Sequence, residues 1–163
     1  MKKIVFMILA TVMAMTVVGC KEEDNGLTFS TLSIEDPENV NIRYDSPDLG
    51  CGVPEMYYIA ATSKENEILL ECDNASSIYI QSPRLRDEES NEYKEIELDD
   101  PDEVELGSVN VKIVNGNQLR ITFDEVSFEE TAGDDSDFVI GANTKDGYKY
   151  VAFDISRGPR IYW

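Results

Sequence analysis

The side chains able to do chemistry in this 163-residue chain are carboxylates, cysteines and tyrosines, because histidine is absent. Without imidazole, nucleophilic machinery of the Ser-His-Asp or Cys-His kind is excluded, and the commonest metal ligand is missing. There is no Gly-Lys-Ser/Thr phosphate loop and no zinc-type cysteine pair. Two acidic clusters are candidate calcium ligands: Asp99, Asp100 and Asp102, followed by Glu103 and Glu105, and Asp134, Asp135 and Asp137. Calcium takes six to eight oxygens at ~2.3 to 2.6 Å. Neither cluster has the central glycine and closing glutamate of a calcium-binding loop, and in so acidic a chain such runs also arise as solvated surface. Sugar hydrolysis by paired carboxylates needs one carboxyl kept protonated by burial. Glu71 and Asp154 have apolar neighbours but read as residues on the wet faces of strands. No cofactor is expected.

The tyrosines offer a different chemistry. Tyr148 and Tyr150, with Tyr162 and Trp163 at the end of the chain, are the candidate binding face, since Val151, Phe153 and Ile155 already supply the apolar side of the same strand. Adjacent tyrosines on a sheet present rigid contact area at low entropic cost. The same rings can instead stabilise the sheet through cross-strand contact. Two or three coplanar exposed rings flanked by amides or carboxylates would point to a glycan, and a convex face without such a row to a protein.

These residues must be positioned by strands, because helical periodicity is nearly absent. Leu27–Ile34 and Val40–Tyr44 read as strands separated by a turn at Glu35–Asn39. Met56–Thr62, Glu67–Cys72 and Ser77–Gln81 follow, with short connections that imply two adjacent hairpins within residues 56–81. Asp87–Glu105 holds 11 acidic residues and one lysine around an edge strand at Tyr93–Leu98. Val109, Val111 and Ile113 alternate before Asn115-Gly116, and Leu119, Ile121 and Phe123 alternate after it. That is the strongest hairpin signal in the chain, with a loop of two residues, or four if Asn117 and Gln118 join it. Phe138–Gly141 turns at Lys145-Asp146-Gly147 into Tyr148–Ile155, and Arg160–Trp163 reads as a last short strand. Eight to ten short strands at close spacing predict one all-β domain over residues 27–163. An antiparallel β-sandwich, immunoglobulin-like in general architecture, is expected, with a small β-barrel as the alternative.

The opening segment has another purpose. Lys2 and Lys3 precede an apolar run from Ile4 to Val18, which at 15 residues is shorter than the ~20 a membrane-spanning helix needs. Gly19 and Cys20 close it, giving the basic, apolar, small-residue plan of a secretory signal over residues 1–19. Val17-Val18-Gly19-Cys20 resembles the lipobox of bacterial lipoprotein signals, which implies cleavage before Cys20 and lipidation of its thiol. Lys21-Glu22-Glu23-Asp24-Asn25 resembles the lysine-plus-acidic tract of Bacteroidota surface lipoproteins, which implies transport to the outer face of the outer membrane. The same run also reads as a charged tether, residues 20–26, that holds the domain off the headgroups. These resemblances cover residues 1–25 only. They imply a lipid anchor in the outer membrane, with the domain on the extracellular or the periplasmic side.

Loss of the leader removes two lysines, leaving 12 basic residues against 33 acidic ones and a formal charge of −21. Such a surface repels nucleic acid and anionic lipid headgroups, so membrane attachment falls to the acyl chains. In an oxidising compartment Cys51 and Cys72 can form a disulfide, worth ~3 kcal/mol for a loop of this length. Alternatively Cys72, in phase with Ile68 and Leu70, is a small core residue and Cys51 is free. The function expected is non-catalytic contact with another envelope protein. A small carbohydrate-binding module that takes an extracellular glycan is the second reading, and an atypical carboxylate hydrolase the third.

Overall fold

Alternating apolar and polar residues bury one face of a strand and wet the other. In the computed structural model this alternation is plain in the segment Asn66–Cys72, where Asn66, Ile68, Leu70 and Cys72 are buried and Glu67, Leu69 and Glu71 are half-buried between them. The structure describes residues 26–45, 55–62, 65–87, 90, 92–123 and 135–157. Within them the strands are β1 (Phe29–Ile34), β2 (Val40–Asp45), β3 (Met56–Ala61), β4 (Asn66–Cys72), β5 (Tyr79–Arg86) and β6 (Tyr93–Glu95). They continue with β7 (Glu103–Leu106), β8 (Val109–Val114), β9 (Gln118–Phe123), β10 (Asp135–Thr144) and β11 (Gly147–Arg157).

The strands form two sheets, one in the order β1-β4-β9-β8-β7 and one in the order β2-β3-β11-β10-β5-β6. Their apolar faces pack together, so the fold is the expected β-sandwich; each sheet keeps its own two edges and no barrel closes. All the strand pairings are antiparallel except β3 with β11, which run parallel from Met56 beside Ala152 to Ala61 beside Arg157. That pairing draws the end of the described chain into the middle of the six-stranded sheet.

An aromatic row fills the core along this seam. Tyr57, Phe153 and Phe138 are cross-strand neighbours on β3, β11 and β10. Phe153 stacks on Phe138 at 5.1 Å and on Tyr57 at 5.0 Å, and Phe29 of the opposite sheet meets it edge-on at 5.3 Å. The Tyr57 hydroxyl accepts the Phe29 N–H at 2.8 Å and lies 3.4 Å from the Phe29 carbonyl, to which it donates, so one ring ties the two sheets together.

The structure corrects several local expectations. The two hairpins within residues 56–81 do not form. β3 lies between β2 and β11, β4 crosses to the other sheet between β1 and β9, and β5 crosses back beside β10. β3, β4 and β5 thus lie on alternating sides of the core, an arched arrangement. The arch lets the apolar stripe of each strand bury against the opposite layer, which edge-to-edge pairing alone would not do. The β8–β9 hairpin forms as expected, but its loop is neither two residues nor four: Val114 pairs with Gln118, leaving 115–117 between them. Asn115 and Gly116 take positive φ angles of 53° and 83°. Asn117 joins the loop because its carbonyl accepts the Cys72 N–H at 2.9 Å and its side chain donates to the Cys72 carbonyl at 3.4 Å.

β5 runs on past Gln81 through Pro83 to Arg86. Its partner register places two β5 residues, Ser82 and Pro83, opposite the single β10 residue Phe138. This bulge, with Ser82 at φ 43°, accommodates a residue that has no N–H to give to a ladder. The acidic run also holds an unanticipated strand, β7, whose Val104 and Leu106 are buried while its charges face outward at a sheet edge.

On that edge Glu103 pairs with Lys112 across the β7–β8 ladder, Nζ to Oε2 at 2.6 Å, and accepts from Asn110 at 3.3 Å. Lys112, and secondarily Asn110, hold the Glu103 carboxyl below its ordinary 4.5. A carboxyl whose folded value is depressed adds stability above its unfolded value and loses it as pH falls through the folded one. The stability difference between the parent protein and Lys112→Met, read by urea denaturation, is therefore expected to be constant near neutrality and to shrink toward zero on acidification below 4.5. A difference independent of pH would contradict this.

Candidate functional site

Cross-strand registry organises the outer face of the six-stranded sheet into two unlike zones. The first is a charged row that crosses every strand: Arg43 on β2, Tyr58 on β3, Asp154 on β11, Asp137 on β10, Arg84 on β5 and Glu95 on β6 are successive neighbours. Its strongest element is a two-pronged pair, with Arg84 Nε donating to Asp137 Oδ1 at 2.7 Å and Nη2 to Oδ2 at 2.5 Å. The planar guanidinium matches the carboxylate fork. Asp137 in turn pushes the Arg84 pKa further above its ordinary value, and the same guanidinium lies 5.3 Å from the Tyr93 ring centre.

The second zone holds the tyrosines. Tyr150 lies beside Gly141 on β10, which lies beside Tyr79 on β5, and Tyr148 lies beside Asn143. Tyr148 reaches across β10: its hydroxyl donates to Gln81 Oε1 on β5 at 2.5 Å. Gly141 makes this reach feasible, since a Cβ there would stand 2.8 Å from the Tyr148 hydroxyl oxygen and 3.1 Å from its ring. The Tyr148 and Tyr150 rings are 18° from parallel with centres 5.8 Å apart, and the residues are 44% and 42% exposed. Burial, then the neighbouring Tyr79, push the Tyr148 hydroxyl above its ordinary 10, so it is a neutral hydrogen-bonding group at physiological pH. The residues of this zone, Tyr79, Gln81, Gly141, Asn143, Tyr148 and Tyr150, include no carboxylate, ammonium or guanidinium group.

Of the binding face expected from sequence, Tyr148 and Tyr150 are brought together as anticipated, whereas Tyr162 and Trp163 lie outside the described residues. Gln81 and Gly141 were not anticipated. A glycine interrupting Phe138-Val139-Ile140 and Ala142 was the available signal, because glycine inside a strand often marks close approach of another group.

Among the described residues no three of His, Cys, Asp or Glu gather into a metal-holding group. Asp137 has both oxygens engaged by Arg84, and Asp100 accepts the Asp102 N–H at 2.9 Å, a local turn contact. Asp135 begins β10, and Asp134 lies outside the described residues. Among the described residues, Asp87 beside Lys94 and Glu103 beside Lys112 have pKa values displaced downward. A general acid for glycoside hydrolysis needs the opposite displacement.

Cys72 is a buried free thiol that donates to Asn74 Oδ1 at 3.6 Å, and burial pushes its pKa up. Cys20 and Cys51 lie outside the described residues, as do the leader and most of the tether. No helix among the described residues is long and apolar enough to cross a membrane. No protein-family model matches the chain, and no curated protein matches it in sequence.

Proposed function

We propose that the protein is a lipid-anchored domain of the bacterial envelope, borne on Cys20, that works by non-catalytic contact through the tyrosine zone of its six-stranded sheet. The reading is supported by one observation above the rest: two large rings, Tyr148 and Tyr150, stack on each other while both stay exposed. Tyr148 is already immobilised by Gln81, so little further freedom is lost when a partner covers it. The partners open to such a domain are the proteins and glycans that reach an outer membrane. A chain that carries −21 after cleavage avoids nucleic acid and relies on acyl chains for attachment.

Both halves of this proposal have a direct test. Metabolic labelling with a fatty acid marks the parent protein and leaves Cys20→Ala unmarked; equal labelling overturns the anchor. The mature Cys20→Ala chain, fluorescently labelled and added to cells lacking the protein, binds them saturably. The Tyr148→Ala/Tyr150→Ala form of that chain, with unchanged circular dichroism, does not. Equal binding by both forms overturns the assignment of the contact face.

A further inference from the structure

Resting on the contact reading above, we infer that the tyrosine zone takes an uncharged glycan, with a pyranose ring lying on the exposed face of the stacked Tyr148–Tyr150 pair and its hydroxyls meeting Gln81 and Asn143. The axial C–H bonds of a pyranose form a weakly positive, apolar face that complements the negative face of an aromatic ring. The Tyr148 and Tyr150 rings stack, 18° from parallel with centres 5.8 Å apart, and the pair stays exposed, so its outward face is open to such a contact. Tyr148 is held over Gly141 by its hydrogen bond to Gln81 Oε1, a geometry in which the ring is supported by the strand beneath it. That bond uses the Gln81 oxygen and leaves its amide N–H groups as donors; Asn143, exposed beside Tyr148, carries both a donor and an acceptor. Sugar hydroxyls need this mixture.

Charge decides between a glycan and a protein. The chain is strongly acidic, yet Tyr79, Gln81, Gly141, Asn143, Tyr148 and Tyr150 include no carboxylate and no ammonium group; Lys145 and Asp146 stand beyond them in the β10–β11 turn, and the row through Asp137 and Arg84 is ionic. A surface used to select a basic protein would place its charge at the contact. A neutral contact surface set in an anionic domain favours neutral polar ligands and repels acidic polysaccharides.

The test is a titration of the mature chain with neutral hexasaccharides of β-1,4-glucose, β-1,4-xylose, β-1,4-mannose and α-1,4-glucose, and with an acidic galacturonate hexamer, followed through tyrosine-ring NMR signals. At least one neutral probe is expected to shift the Tyr148 and Tyr150 rings saturably and to bind more tightly than the acidic one. Tyr150→Ala lowers that affinity about tenfold, the loss expected from one stacking face. Gly141→Ala lowers it several-fold while keeping both tyrosines, because the new methyl group displaces Tyr148. Tyr93→Ala, which removes an exposed tyrosine of β6, leaves it unchanged. The inference is overturned if no neutral probe binds at concentrations on the order of 10 mM, if the acidic hexamer binds best, or if Tyr150→Ala binds as the parent does. If no probe binds while cell binding still depends on the two tyrosines and is abolished by shaving the cells with protease, the ligand is a protein. The contact reading then stands and the glycan falls.

Discussion

Phe153→Ala is expected to destabilise the domain by about 4 kcal/mol, the range found when a fully buried phenylalanine is cut to alanine. Phe153 is fully buried and is the hub of the core row, touching Phe138, Tyr57 and Phe29. Two contributions add. The ring's own apolar surface is lost from the core, and the cavity left behind cannot collapse, since Phe138 and Tyr57 are fixed on the flanking strands β10 and β3. Urea denaturation followed by far-UV circular dichroism measures the loss as a lower midpoint at unchanged slope, with a melting temperature lower on the order of 10 °C. Phe153→Leu, which keeps most of the volume, is expected to cost less than about 2 kcal/mol. Equal losses for the two variants would show that the stack contributes nothing specific.

Asn66→Ala is the second large effect, about 2 to 3 kcal/mol. Asn66 is 1% exposed at the start of β4, and its amide answers both backbone groups of Asp36: Oδ1 accepts the Asp36 N–H at 3.1 Å and Nδ2 donates to the Asp36 carbonyl at 3.0 Å. It thereby pins the turn that carries the chain from β1 in one sheet to β2 in the other. Alanine removes both bonds, taking the side-chain acceptor from the Asp36 N–H and leaving the Asp36 carbonyl with the Asn39 N–H at 3.3 Å. Asn66→Asp separates the two bonds. Ionised, the new carboxylate can accept the N–H but repels the carbonyl; protonated, it can donate to that carbonyl as the amide does. Its folded pKa is therefore raised, and the variant is expected to lie closest to the parent at acidic pH and to fall away as pH rises through that value. Stability curves for the two proteins that stay parallel between pH about 4 and about 7 would exclude this role.

Much of the secondary structure was legible because burial in a strand is a local, period-two property. Val109, Val111 and Ile113 against Asn110 and Lys112 identify a half-buried strand whatever lies beside it, and Asn115-Gly116 identifies the turn, because few other residue pairs accept two consecutive positive φ angles. The inward Val151, Phe153 and Ile155 and outward Tyr148 and Tyr150 were legible for the same reason. β7 was harder. Val104 and Leu106 are its two apolar residues among neighbouring acids, and a short edge strand needs little more than one covered face.

Sequence by itself determined the strand-rich character, the faces of the strands and the strongly acidic surface, and with these the all-β class, because each depends on residue type and spacing along a short stretch; sandwich against barrel was decided by the two separate sheets. Partner strands were decided only by tertiary structure. An apolar stripe is buried equally well by a hairpin neighbour with a second layer above it or by an arch to the opposite layer, so β3, β4 and β5 look alike in sequence under either arrangement. The parallel seating of β11 beside β3, the pairing of Arg84 with Asp137, and the approach of Gln81 to Tyr148 over Gly141 all join residues more than 50 apart in the chain. Contacts at that separation leave no periodic trace, because what places them is the register between strands.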